Sequence, residues 1–461
     1  MTSRTAPAPG APSLDEARRR LCAALDELRA LPRDLRLETP CAPSDFGALL
    51  ASTEGGPRAL FASSRTGRRL VAVFAARSFT LPASHSAGQL VAHARAGLAP
   101  GTGPLVGAAR FAPCRDEARL DPSWRPFGAG LFFLPRVLVE QRSALDGGGF
   151  VLAVHLCQDR PLDEERADAR RALLALGAGR AEVSPVAAPP VALDDERARF
   201  VASVERAVAA LSDGRFDKVV LARRAARALP PGAAVEPALS LLEGREPFGA
   251  SYLLEVPGAA WLGRSPELLV ARRGRRLESE AVAGTRPVGA TPDDDERLEA
   301  ELLTSDKDAR EHLHVREHLA DALSRLGADP RPAAATRVRR LSRVMHLVTA
   351  VEATLPDGIT DQDLVDTLHP TPALAGTPTN AALSFIEAHE GFDRGLYAGP
   401  VGLIDEDGLE LWIGIRGARL TGRALTLYAG GGIVDGSEPE AEWQETEAKA
   451  SALLSVLGGA S

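Results

Sequence analysis

Between Lys218 and Arg272 the chain carries four short apolar runs, KVVLAR, SYLLEV, AWLG and ELLVAR, and from Asp293 it changes to a long charged stretch with helical spacing. Runs of this length broken by Gly and Pro read as strands, the last turning at Gly274. Asp293 to Leu326 reads as one amphipathic helix with Gly327 past its end, where a residue free to take positive φ closes a helix. Further strands are expected at LELWIGIR and ALTLYAG, joined by a turn at Thr421 and Gly422, and a closing helix over Glu440 to Leu457. Upstream, LVAVFAA and FVLAVHL read as strands, and helices are expected from Leu14, over Asp163 to Leu176, and to Leu211 behind a cap at Asp194 or Asp195. Strands grouped with flanking helices predict α+β architecture. The expected organisation is a disordered tail over 1–12, a first half over 13–190 ending in a linker from Gly177 to Pro190, and a catalytic region over 191–461.

Composition narrows the function more than the fold. With 461 residues, the chain can bury two cores or one large intertwined one. A formal net charge of -8 argues against nonspecific binding to nucleic acid or an anionic membrane, since both follow a positive field. The N-terminus has no apolar core of a signal peptide, and no stretch reaches transmembrane length, so cytoplasmic residence is expected. Cys22, Cys41, Cys114 and Cys157 form no CxxC pair and are expected to be buried free thiols.

Two helical segments share an acidic pattern. In SDKDAREH, Asp308 and Glu311 are three apart; in EAEWQETEAK, Glu442 and Glu445 are three apart, with Lys449 four further on. Residues at this spacing share a helix face, so each segment can aim two carboxylates one way. Two such faces across a cleft would suit Mg²⁺, which takes carboxylates, waters and substrate oxygens. The same spacing also describes a solvated helix face. A second metal pattern, His314-Val315-Arg316-Glu317-His318, matches the H-x-x-E-H arrangement of a zinc peptidase, although five residues arise easily in a charged helix.

HPTPALAGTP (His369 to Pro378), FDRGLYAGPVG (Phe392 to Gly402) and AGGGIV (Ala429 to Val434) together are more specific. With KVVLAR, GRSPELL, VAGT, SDKDAREH and EWQETEAK in the same order, the chain resembles isochorismate synthases within the chorismate-utilising enzymes, from about Glu196 to Leu457. Upstream, WRPFGAGLFFLPRVLV resembles the first half of menaquinone-type members. The resemblance implies two packed β-sheets flanked by helices, as in anthranilate synthase large subunits, and a magnesium-dependent isomerisation of chorismate to isochorismate. It leaves open whether the product feeds menaquinone or siderophore synthesis.

By the same resemblance Glu311 and Glu445 match direct Mg²⁺ ligands, and Asp308 and Glu442 acids that hold metal-bound waters. Arg416 and Tyr397 match contacts to the pyruvyl carboxylate, for which an Arg fork is suited. Gly430 and Gly432 match glycines lying close to substrate, Gly284 and Thr285 a carboxylate contact, His346 the site histidine, and Lys449 a substrate-binding neighbour of the metal site. Lys218 matches the base that activates water and Glu267 the acid that protonates the departing hydroxyl, so Lys218 should be desolvated and Glu267 should keep its proton. Ala373 and Leu374, in HPTPAL, match the loop that separates synthases from salicylate-forming relatives. Ala283 stands where aminodeoxychorismate synthases resemble one another in a lysine nucleophile. Gly431 and Val282 depart from the usual alanine and leucine, which bears on fine positioning of substrate. Neither an obligatory glutaminase subunit nor a membrane or nucleic-acid partner is expected. The competing readings are a salicylate synthase, an anthranilate synthase subunit, a zinc peptidase and a noncatalytic paralogue.

Overall fold

A computed structural model describes residues 10–114, 116–178, 190–191, 196–229, 248–341 and 344–456, apart from the side chains of Glu117, Leu145, Pro190, Val191, Lys307, Glu311 and residues 451–456. The tail before residue 10, most of the expected linker and the expected caps Asp194 and Asp195 lie outside the described residues.

The strands form two antiparallel arms that share one long strand, Gly130–Gln141. In the first arm this strand lies between Phe150–Leu156 and Arg69–Phe79. The order then runs through Arg58–Ser63, Ala250–Val256, Ala259–Ser265, Gly417–Thr421, Ala424–Ile433 and Lys218–Ala228. In the second arm the front half of the shared strand pairs with Leu105–Ala109, followed by Pro400–Ile404, Gly408–Ile413, Leu268–Arg273, Arg276–Pro287 and Val344–Thr354. Each arm therefore joins strands from both halves of the chain, those of the first half grouped beside the shared strand. The central strand is buried along almost its whole length, GLFFLPRVLV, because side chains from it pack into cores on both faces. One core, with Phe61, Trp124, Trp261, Leu268 and Trp412, fills the space between the arms. The other lies under helices Leu14–Glu27, Phe46–Ala51 and Leu162–Ala175.

Three expectations need correction. The stretch from Asp293 is two helices, Pro292–Thr304 and Asp306–Arg325, not one. Ser305 is extended, and its Oγ accepts from the Asp308 N–H at 3.2 Å, so a new helix is capped where the old one stops. The strand expected through LELWIGIR ends at Ile413, because Arg416 takes φ +50 and a strand cannot continue through that backbone. Only Cys41 and Cys157 are buried; Cys22 and Cys114 are half-exposed, since one sits at the edge of its helix's apolar face and the other in a loop.

Two neighbouring crossings between the arms position the site. Strand Ala259–Ser265 belongs to the first arm and Leu268–Arg273 to the second, with Pro266 and Glu267 between them. Gly408–Ile413 returns the other way into Gly417–Thr421 through Gly414, Ile415 and Arg416. Glu267 and Arg416 thus both stand in the seam, outside the regular strands, and the charge of Arg416 acts on the Glu267 carboxyl.

Candidate active site

The seam opens into a cleft of about 550 Å³. Lys218, Glu267, Gly284, Thr285, Asp308, His346, Ala373, Leu374, Tyr397, Arg416, Gly430, Gly432, Glu442, Glu445 and Lys449 all line it. Of Glu311, matched in the sequence to a metal ligand, the side chain lies outside the described residues.

Lys218 opens strand Lys218–Ala228, which is held on both sides. On one side Gly432 pairs with Val220. On the other, the Asp217 N–H donates to Thr377 O at 2.7 Å and the Val220 N–H to Ala375 O at 2.9 Å, so the HPTPALAGTP segment is stitched along the lysine strand. Arg394 locks this arrangement from beneath, donating to Val220 O at 2.7 Å and Leu374 O at 3.0 Å while paired with buried Glu390 at 2.6 Å. Ala373 and Leu374 reach the cleft on that scaffold.

Glu267 follows a Pro, and its N–H donates to Ser265 Oγ at 3.2 Å. Burial pushes its carboxyl up to about 7, and Glu280 pushes the same way, against the pull of Arg416, Lys218 and Lys449. A carboxylic acid that holds its proton near neutrality is what a general acid requires.

Gly284 has φ +75 and makes a bulge in strand Arg276–Pro287, so that Thr285 comes opposite His346. His346 Nδ1 lies 3.0 Å from Thr285 Oγ1 and 3.3 Å from Gly284 O, while Arg416 Nη2 lies 3.2 Å from Nε2. Since the guanidinium must donate, Nε2 accepts, and the ring proton belongs on Nδ1. Burial, then the charges of Arg416 and Lys449, hold His346 down to about 3 and keep the ring neutral. Tyr397 is buried, stacked on Tyr428 at 5.3 Å, with its phenol raised by burial.

The acids come from two helices, Asp306–Arg325 and Pro439–Val456. Asp308 pairs with Arg286 at 2.6 Å, Glu445 with Lys449 at 2.6 Å, and Glu442 accepts from Ser437 Oγ at 2.8 Å. Lys449 also donates to Gly430 O at 3.0 Å. Among the described residues no three His, Cys, Asp or Glu gather tightly enough to hold a metal. The acids that these helices bring to the cleft, Asp308, Glu442 and Glu445, nevertheless offer oxygen donors, which fit a hard cation. The H-x-x-E-H stretch does not gather as a site: His314 and Glu317 are exposed and His318 is half-buried beside a different cavity.

Sequence reasoning missed Arg286, Arg339 and Arg394. Arg286 directly follows Gly284-Thr285, which was the available signal. Arg339 pairs with Glu280 at 2.7 Å and stacks over Phe248 at 3.4 Å, contacts across the sheet that no local spacing reveals.

Residues 67–458 match the family model described as chorismate binding enzyme. The chain belongs to the chorismate-binding enzymes. Its similarities within that family point to one branch. It is 31% identical over 359 residues to the isochorismate synthase MenF of Bacillus subtilis, covering 77% of this chain and 74% of that protein. It is 40% identical over 270 residues to the salicylate biosynthesis isochorismate synthase of Pseudomonas aeruginosa, covering 57% of this chain but only 56% of the relative's length. The solved structure of MenF, the menaquinone-specific isochorismate synthase of Escherichia coli, superposes with a TM-score of 0.84 at 26% identity over 96% of this chain and 99% of that one. Among the described residues no helix is long and apolar enough to cross a membrane.

Proposed function

We propose that this protein is an isochorismate synthase that adds water at C2 of chorismate and expels the C4 hydroxyl. The observation that carries the reading is the pairing, in one cleft, of Lys218 with a carboxyl held near neutrality at Glu267. Lys218 accepts a proton from the attacking water as its oxygen bonds to C2. The ring double bonds shift, and Glu267 gives its proton to the C4 oxygen, which leaves as water. One water enters and one departs, so atoms and charge balance. Arg416, oriented by neutral His346, and Tyr397 bind the pyruvyl carboxylate, and Gly284 with Thr285 contributes a further carboxylate contact. Gly430 and Gly432 let the substrate lie close to the strand, where no Cβ intrudes.

Mg²⁺ would be held by Glu311 and Glu445, with Asp308 and Glu442 reaching it through water, and Lys449 beside them. Bound there, it would supply positive charge for the ring carboxylate of chorismate. Ala373 and Leu374 shape the wall that decides between isochorismate and onward elimination to salicylate. The experiment is steady-state kinetics of Lys218→Ala and Glu267→Gln. Each should lower kcat by about 100-fold or more with a much smaller change in KM. Near-normal kcat in either variant would leave that residue a structural role only.

A further inference from the structure

His318, the half-buried member of the H-x-x-E-H stretch, has no part in the cleft. It lines a second, smaller cavity of about 30 Å³ together with Thr367, Thr371 and Ala373. Glu267 lines this cavity and the main cleft alike, so the residue stands between them. A space above about 15 Å³ admits a water if polar partners surround it. The polar residues around it are Glu267, Thr367, Thr371 and His318, with Ser279, which donates to Leu269 O, and Glu280, which is paired with Arg339. Thr371 Oγ1 is buried without a hydrogen-bond partner, a state that a bound water relieves.

The proposed reaction leaves a problem for the next cycle. Each turnover ends with an extra proton on Lys218 and one missing from Glu267. Lys218 can release its proton into the open cleft. Glu267 must regain one, and its cleft side faces the ligand.

We propose that the small cavity is a water-filled proton port, through which His318 reloads Glu267 from behind after each turnover. The inference rests on Glu267 being the acid of the proposed reaction. The proton taken up at Glu267 equals the one Lys218 releases, so no other reactant is needed. An imidazole suits the outer end, since it takes a proton on one nitrogen and passes it from the other. Burial and Arg325 favour its neutral form, and Asp321 opposes them.

The test compares the first turnover with later ones in His318→Phe, mixing enzyme held below pH 7 with chorismate and Mg²⁺. The first turnover should run at the wild-type rate and later ones about fivefold slower or more, giving a burst of one product per site. Thr371→Val, which replaces the hydroxyl with a methyl, should give a smaller burst, and added imidazole should speed the later turnovers of His318→Ala. Wild-type kcat without a burst in both variants overturns the port. So does an equal slowing of first and later turnovers, which marks a structural effect. Absence of isochorismate from the wild-type control would instead bring down the proposed function and the port with it.

Discussion

Gly432 lies directly beneath the side chain of Lys218: a Cβ on Gly432 would come within 2.8 Å of Lys218 Cε and 3.3 Å of Nζ. The two residues sit on paired strands, and the lysine crosses the space that a larger residue would fill. Gly432→Ala should therefore push the amine away from its working position while leaving the sheet intact. We expect kcat to fall about 10- to 100-fold, the range for misplacing a catalytic group, with little change in thermal midpoint. Kinetics paired with a melting curve checks this; unchanged kcat would show that Lys218 has room to spare.

Glu267 gives a prediction in pH. The reaction needs its protonated form, so kcat/KM should fall as pH rises through about 7. The same raised value acts on stability. Its folded pKa lies above the ordinary carboxyl value, so folding carries no penalty at low pH and a growing one as pH rises toward about 7. Glu267→Gln removes that penalty. The variant should gain stability over wild type between pH 4.5 and 7, by up to on the order of 3 kcal/mol, even as it loses activity. Unfolding midpoints across that range test it, and a gain that does not vary with pH would contradict it.

The acids at the cleft predict metal dependence. Glu445→Gln or Glu311→Gln should nearly abolish activity, because a neutral amide does not supply the anionic oxygen that holds a hard cation. Turnover against Mg²⁺ concentration after chelation, with direct titration of Mg²⁺ binding, reads the effect. Full activity in chelator, or rescue by zinc and not by magnesium, would contradict the assignment.

Much of the candidate site's lining is legible in the sequence because its motifs lie on elements with strong local signals. Lys218 opens an apolar strand, and Glu442, Glu445 and Lys449 share a face of a helix that forms where periodicity placed it. The break at Ser305 was hidden because the charged pattern continues across it, although a serine three residues before Asp308 is a cap in plain view. The bend at Arg416 was hidden for a different reason. Arginine rarely takes φ +50, and here the seam between two sheet arms imposes it. The arms themselves arise from pairings such as Val401 with Ala108, far apart in sequence, which no window of local spacing reaches.

The most direct measurement is to incubate the protein with chorismate and Mg²⁺, with and without ammonium, and to follow the products over time by chromatography. The account predicts isochorismate as the main product, approached equally with and without ammonium, with little salicylate. Salicylate and pyruvate as main products, or anthranilate that appears with ammonium, would contradict it.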